Sequence, residues 1–379
     1  LPTPGDYFTW LAGKGFNQTQ FSTSNFVVDV TDSGVDNGTA APNHFGLYTT
    51  GNVTNASRVV YARLQGTPNG GSSIQGCDGH GNLNTHIIGG YVPGGAPYNA
   101  FPYADASGFR YGLGVAPFVK VGSSVIFDPG AYTSPDFEDL QSRAYNDGAR
   151  ISSNSWGAST STYTSDAQRY DSLVRDAQPT GAAIPVAGNQ EMVIVFAAGN
   201  RGTNLNTVGA PGTAKNVITV GAAENVRSST VANGGNSSFG NDGCGYSDAN
   251  SDSASDLASF SSHGPCSDGR QKPDLVAPGS HITGGVAQSV SATNGTGMAL
   301  AGFRASSICA LNGAGVAGST NNFFPLGQQF YTVSSGTSHA TPAVAGACAL
   351  VRQYFINQNL TAPSPAMTKA FLMNSTRYL

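Results

Sequence analysis

The chain of 379 residues has a net charge of −4, and only 11% of its residues are charged. Its length and its 39% hydrophobic content are typical of a globular protein with a sizeable core. Because no Lys/Arg cluster offers a positive surface and no apolar run reaches the roughly eighteen residues that span a bilayer, we expect neither nucleic-acid nor membrane partners.

The first residues indicate processing of the chain, and the cysteines indicate which thiols could pair. The chain begins with Leu1-Pro2-Thr3, which we interpret as a mature, processed N-terminus. Cys244 and Cys266 flank a loop-rich stretch and could form a disulfide, whereas Cys348 lies among small apolar residues and is interpreted as a buried thiol. With Cys77 and Cys309 the total is odd, so at least one cysteine is unpaired within the chain.

Short apolar runs of strand length alternate with amphipathic helical segments, which predicts an α/β fold with a doubly wound, mostly parallel sheet and helices on both faces. The predicted strands are Phe26 to Thr31, Phe118 to Val125, Ala149 to Asn154, Val193 to Ala198 and Val217 to Ala222. The clearest helical segments are Asp136 to Asp147 and Ser165 to Ala177. Segments rich in Gly, Asn and Ser at 66–76, 91–112, 226–256 and 285–325 are predicted to be long surface loops of one domain over residues 1–379.

Two segments place a titratable residue at an end of these elements. Asp32 follows a β-rich run and precedes a turn, at the carboxyl end of a strand, where open α/β sheets gather their active sites. Asp29 and Asp36 are alternative acids in the same segment. His80 begins a helical pattern that continues to residue 90, and His86 is an alternative histidine within it.

Two further segments carry a serine and an asparagine. Ser338 precedes Pro342 and a run of small residues at 343–349, which predicts a buried helix with Pro342 in its first turn. The N–H groups at such a helix start favour the negative charge of an acyl-transfer intermediate. Asn200 ends a buried strand in a Gly-Asn turn. Each segment alone also fits a plain cap or turn, but their ordered occurrence in one α/β pattern indicates a catalytic site.

These segments resemble the motifs of subtilisin-like serine proteases, the subtilases, in which the catalytic residues follow the order Asp, His, Ser. The matching motifs are Asp32-Ser33-Gly34, Gly79-His80-Gly81, Ala198-Gly199-Asn200 and the run from Gly336 to Pro342, with further signatures at 114–117, 260–265 and 272–279. The similarity extends from about residue 20 to about residue 375. The resemblance implies a secreted serine endopeptidase in which Asp32, His80 and Ser338 form the triad and Asn200 binds the oxyanion.

The resemblance also implies where a protein or peptide substrate binds. Ser155-Trp156-Gly157 resembles the family's Ser-Leu-Gly substrate strand, and the peptide would lie extended between it and Ala197-Ala198-Gly199. Recognition of the peptide backbone in this way predicts broad specificity. The alternatives are a subtilase-fold binding module without activity and a peptide ligase or acyl transferase that uses the same triad.

Within the family, the motifs at 154–157 and 209–216 are most similar to the branch of oxidant-stable alkaline proteases. The β-sandwich domain of that branch is not recognised in this chain. Because the family follows the helix at 367–372 with a final strand, we expect a longer precursor trimmed here or an associated C-terminal fragment or domain. This chain also departs from the family pattern, since Asn84, Thr85 and His86 replace small or apolar residues and His339 replaces a methionine.

One loop suggests a metal ion. Its oxygen-bearing side chains stand at spaced positions, namely Asp248, Asn250, Asp252 and Asp256. This spacing is typical of a calcium loop, although it lacks the Gly and the closing Glu of an EF-hand, and a solvated loop is the alternative. Structural Ca²⁺ is therefore a hypothesis, and no cofactor is expected for the chemistry.

Overall fold

The computed structural model describes residues 7–105, 107–226, 246–290, 297–300, 323–325 and 327–377. Within these residues, seven strands form one parallel sheet in the order β2-β3-β1-β4-β5-β6-β7. Their bounds are β1 Val27–Asp32, β2 Val59–Leu64, β3 Lys120–Val125, β4 Ala149–Asn154, β5 Val193–Ala197, β6 Ile218–Ala223 and β7 Leu275–Pro278. The predicted parallel α/β fold is confirmed.

A second sheet pairs β8, Ile282–Gly285, with β9, Tyr331–Ser334, in antiparallel register. The helices are α1 Tyr7–Gly13, α2 Gln18–Ser24, α3 His80–Gly89, α4 Phe137–Asn146, α5 Ser165–Arg175, α6 Thr337–Asn357 and α7 Pro365–Ser375. Asp136 caps α4 by accepting the N–H groups of Glu138 and Asp139, and Thr164 caps α5 in the same manner. The two helices predicted most clearly therefore begin where their capping residues indicate.

Alternate residues of the central strands enter opposite cores, as the two-residue period of a strand requires. On one face, Val193 and Val195 pack in the cluster that contains Val344 and Ala345 of α6. On the other face, Ile194 and Phe196 join the aromatic cluster of α4 and α5. Helix α6 comes close to its neighbours because its residues are small: a Cβ added at Gly346 would lie 2.8 Å from Val115 Cβ.

Four observed strands were not predicted, namely β2, β7, β8 and β9. Strand β2 is an edge strand with partly exposed side chains, so its sequence lacks the continuous apolar run of a central strand. The described residues of 66–76 and 91–112 contain no helix or strand, as predicted. The second segment is nevertheless not a simple surface loop, because Tyr98, Tyr103 and Tyr111 are buried against β9. Most of 226–256 and 285–325 lies outside the described residues.

The cysteines fit the sequence analysis only in part. Cys348 is a buried free thiol in α6, and burial raises its pKa to about 12. Cys266 is also buried and free, so the suggested disulfide with Cys244 is not present; the backbone N–H of Cys266 closes a tight turn onto the Arg270 carbonyl. Cys244 itself lies outside the described residues. Among the helices described here, none has the length and apolar character to cross a membrane.

Candidate active site

The four side chains singled out in the sequence lie at the carboxyl edge of the sheet. Asp32 is the last residue of β1, and Asn200 follows β5 after a short turn. His80 is the first residue of α3, and Ser338 lies in the first turn of α6. Parallel strands bring their carboxyl ends to one edge, so residues far apart in the chain meet there.

Asp32 and His80 form a direct hydrogen bond, with 2.7 Å between His80 Nδ1 and Asp32 Oδ1. Asp32 is 3% exposed, and its Oδ1 also accepts the backbone N–H of Ser33 at 2.8 Å. Burial by itself would raise the pKa of Asp32, but the charge and hydrogen bond of His80, with the donors Asn84 and Ser33, outweigh it and lower that pKa. The carboxylate is therefore ionised and acts only as an acceptor.

The turn after β1 fixes the start of α3. The Ser33 hydroxyl bonds to the Asp78 carboxylate and accepts the Gly81 N–H at 3.0 Å. Asp78 also accepts the backbone N–H of His80 at 3.1 Å, and burial raises the pKa of Asp78 to about 6. A Cβ added at Gly81 would lie 2.6 Å from the Gly34 carbonyl oxygen, so only glycine allows this approach of helix and turn.

The alternative residues from the sequence are occupied elsewhere. Asp29 is fully buried and accepts hydroxyl groups from neighbouring side chains, and Asp36 accepts the backbone N–H groups of Gln288 and His44. The ring of His86 packs against that of His44, with 4.2 Å between centroids. His80, and not His86, is therefore the histidine that bonds to Asp32. The carboxylates of Asp29 and Asp36 bind other groups.

Ser338 faces Ser155 through two hydrogen bonds. The Ser338 hydroxyl donates to the Ser155 carbonyl at 3.3 Å, and the Ser155 hydroxyl donates to the Ser338 carbonyl at 2.7 Å. The second bond corrects our prediction for Pro342, which lies in the second turn of α6 rather than in the first. Pro342 lacks the N–H that the Ser338 carbonyl would accept in a regular helix, and the Ser155 hydroxyl replaces it.

Asn200 is held by the residue before Ser338. Its Oδ1 accepts both the backbone N–H and the hydroxyl of Thr337, each at 2.8 Å. With Oδ1 used in this way, the Nδ2 group of the amide is left to donate to a ligand, and Asn200 lines a cleft together with Ser338. Asn200 is exposed to solvent, so a ligand can reach this amide.

A cleft of about 220 Å³ opens beside Ser338 and Asn200. It contains all six predicted substrate residues, which are Ser155, Trp156, Gly157, Ala197, Ala198 and Gly199. The indole of Trp156 stacks on Phe137 with 5.4 Å between centroids, which holds this wall in place. The walls consist mostly of backbone and small side chains, so the cleft presents main-chain groups to an extended ligand.

The predicted metal loop is observed only in part. Asp252 and Asp256 meet Glu224, and one ligand oxygen of each lies within 4.8 Å of the others. Glu224 is buried, and it accepts the backbone N–H groups of Asp252 and Ser253 at 3.1 and 3.2 Å. Asn250 is exposed, and the side chain of Asp248 lies outside the described part of the chain. Glu224 could not be predicted from the sequence, because it follows β6 and reaches this loop only through the fold.

The chain matches known proteases along most of its length. A model of the subtilase family of peptidases matches residues 23–379. Serine protease AprX of Bacillus subtilis (strain 168) is 34% identical over 213 residues, which are 56% of this chain and 36% of that protein. The serine protease/ABC transporter B family protein tagD of Dictyostelium discoideum is 27% identical over an alignment of 354 positions that covers 80% of this chain and 18% of that protein. The alignments thus cover well under half of either relative.

Two solved protease structures share the fold of this chain. The prenylagaramide maturation protease PagA superimposes with a TM-score of 0.53 over 98% of this chain and 88% of its own, at 18% identity. A mutant of the protease domain of PatA gives a TM-score of 0.50 over 93% of this chain and 88% of its own, also at 18% identity. At this identity the likeness shows the fold.

Proposed function

Since this chain belongs to the subtilase family, we propose that it is a secreted serine endopeptidase that cleaves peptide bonds with Asp32, His80 and Ser338. The observation that carries the proposal is the 2.7 Å hydrogen bond between Asp32 and His80, next to the first turn of α6 that presents Ser338. The serine protease relatives support the same class of reaction.

The tautomer of His80 determines the direction of proton transfer. Because ionised Asp32 can only accept, His80 carries its proton on Nδ1, and Nε2 has the lone pair that a general base needs. The Ser338 hydroxyl rotates from its long bond to the Ser155 carbonyl, attacks the substrate carbonyl carbon and gives its proton to Nε2. His80 then passes that proton to the leaving amine, and water releases the acyl group from Ser338 by the reverse steps.

The oxyanion of the intermediate is bound by Asn200 Nδ2 and by the backbone N–H of Ser338 at the start of α6. We expect Asn200→Ala to lower kcat by about 10²–10³ with little change in KM, a magnitude that belongs to subtilisin and is carried over to this chain. Asn204→Ala, on the neighbouring exposed loop, is the matched control. Equal kcat values for the two variants would exclude Asn200 from the oxyanion site.

Broad specificity is part of the proposal, because the cleft offers mostly backbone and small side chains to an extended peptide. A peptide library digested by the protein and read by mass spectrometry should show cleavage after several residue types. Cleavage after a single residue type would contradict this.

Labelling by a fluorophosphonate separates this function from its alternatives. We expect the wild-type protein to react and to hydrolyse denatured casein, Ser338→Ala to do neither, and the exposed-serine control Ser165→Ala to do both. A wild type that does not react would be the inactive binding module. Amide products formed with a competing amine, in place of free acids, would indicate the ligase or acyl transferase.

We also propose that residues 1–379 form one catalytic domain and that an additional C-terminal segment or fragment associates with it. The exposed apolar side chains of α7, Met367, Phe371 and Met373, support such an association. Mass spectrometry of the native protein and of its separated chains tests this, since equal masses would exclude a bound fragment. Recovery of the full-length gene product from the culture medium tests secretion.

For the acidic cluster we propose structural Ca²⁺, with Glu224, Asp252 and Asp256 as carboxylate ligands. Three hard oxygen ligands, two from the predicted metal loop and one from the residue after β6, fit calcium better than a soft metal. Added Ca²⁺ should raise the thermal midpoint of the wild type, by an amount that grows with concentration, and should leave Asp252→Asn unchanged. An equal response of both proteins would exclude the site.

A further inference from the structure

Two departures from the family pattern meet in the structure. Asn84 takes the place of an apolar residue on α3, and His339 takes the place of a methionine on α6. They are 255 residues apart in the chain, yet His339 Nδ1 lies 2.9 Å from Asn84 Oδ1. Both side chains are buried, Asn84 at 0% exposure and His339 at 1%. A paired replacement of two apolar residues by two hydrogen-bonded polar ones requires a physical reason.

The pair is joined to Asp32. Asn84 Nδ2 donates to Asp32 Oδ2 at 3.0 Å, on the carboxylate oxygen that His80 does not contact. At the other end, His339 Nε2 lies 2.7 Å from the Ser334 hydroxyl of β9. A continuous chain of hydrogen bonds therefore runs from Ser334 through His339 and Asn84 to Asp32.

The position of each proton in this series of hydrogen bonds follows from which groups can donate and which can only accept. Ionised Asp32 only accepts, so Asn84 must present Nδ2 to it and Oδ1 to His339. Oδ1 in turn only accepts, so the proton of His339 lies on Nδ1, and Nε2 accepts from the Ser334 hydroxyl. This arrangement needs a neutral ring, and burial together with the nearby His80 lowers the pKa of His339 to about 3.

We propose that Asn84 and His339 are positioning residues that orient the Asp32 carboxylate toward His80, an inference that rests on the proposed protease function. Asp32 Oδ1 is held by Ser33 and His80, and Asn84 holds Oδ2, so the plane of the carboxylate cannot rotate. His339 keeps Asn84 in the orientation that donates. Neither residue lines the substrate cleft.

The arrangement also sets the basicity of His80. Asn84 Nδ2 lies 3.3 Å from His80 Nδ1, and its partial positive charge opposes protonation of the ring. Its hydrogen bond also draws negative charge of Asp32 away from His80. The other titratable groups that face this pair are Asp78 at the start of α3 and His339 on α6. Removal of Asn84 should therefore raise the pKa of His80.

The test compares Asn84→Val and His339→Met with His339→Gln, whose amide can donate to Asn84 and accept from Ser334. Thr85→Val is the matched control, because Thr85 is buried on the same helix and, among the residues that the structure describes, its hydroxyl donates to the Gly81 carbonyl and makes no hydrogen bond to Asp32 or His339. We expect Asn84→Val to lower kcat about tenfold or more with KM unchanged, and His339→Met to lower kcat by a smaller factor. His339→Gln should recover most of the kcat that His339→Met loses. Thr85→Val should have the kcat of the wild type.

The pKa of His80, followed by NMR of the imidazole ring, gives a readout that does not depend on turnover. It should rise by roughly 0.5 or more in Asn84→Val and stay at the wild-type value in Thr85→Val. If the wild type shows no hydrolysis that depends on Ser338, the proposed function is wrong. The pKa of His80 in the variants would still test whether Asn84 positions Asp32. Unchanged kcat and unchanged His80 pKa in a folded Asn84→Val would overturn the inference, as would equal losses in His339→Gln and His339→Met.

Discussion

The burial of His339 makes stability depend on pH in a predictable direction. Its pKa is lowered from 6.5 to about 3 by burial, so the folded protein keeps the ring neutral while the unfolded chain protonates it below about pH 6.5. The contribution of this residue to the free energy of unfolding is therefore complete above pH 6.5 and is lost as the pH falls from 6.5 toward 3. His339→Gln keeps the hydrogen bonds and removes the titration.

Linkage gives the size of the difference. One proton bound only by the unfolded chain costs about 1.4 kcal/mol per pH unit, so between pH 6.5 and 4.5 the wild type should lose about 2–3 kcal/mol more than His339→Gln. Urea unfolding at both pH values measures this, in a Ser338→Ala background that prevents self-digestion. Other titratable groups with shifted pKa values, such as His44, His86, Asp29 and Asp36, are common to both proteins and cancel in the comparison. Parallel pH curves would refute the reasoning.

Peroxide should leave the wild type largely active and inactivate His339→Met, because a sulfoxide would place a polar group next to Ser338; equal losses would contradict this. Asp274→Ala should lower the free energy of unfolding by about 3–5 kcal/mol, since it leaves the buried Lys272 and the partly buried Lys369 without their carboxylate. Removal of the exposed Asp268 should cost far less, and similar losses would refute the argument. The low charge density predicts that the fold tolerates acid, because few carboxylates must be protonated as the pH falls, and an inactivation midpoint near neutrality would contradict this.

The positions of Asp32 and Asn200 could be predicted because each follows a buried strand, and a parallel sheet brings such ends together whatever the loops between them do. The substrate residues Ser155 to Gly157 were predicted from the resemblance to subtilases, and the structure places them directly after β4 in the cleft. Local strand and turn signals were sufficient only for the positions of Asp32 and Asn200.

Contacts between distant segments could not be predicted in this way. Asn84 and His339 each looked like an unexplained polar residue in an apolar helix, and only the packing of α3 on α6 shows that they satisfy one another. Glu224 joins Asp252 and Asp256 for the same reason, because nothing in its own segment differs from a plain strand end. The burial of Tyr98 and Tyr103 likewise depends on β9, which is more than two hundred residues later.

The order of elements along the chain has a consequence for biosynthesis. Ser338 bonds to Ser155, 183 residues earlier, and His339 bonds to Asn84, 255 residues earlier. A ribosome releases β1, α3 and β4 long before α6 exists, so the cleft beside Ser338 cannot assemble before α6 has been made. The long loops that must close before α6 can pack also make folding slow. Under the proposed function, the chain therefore cannot cleave peptide bonds before α6 has been translated and has packed.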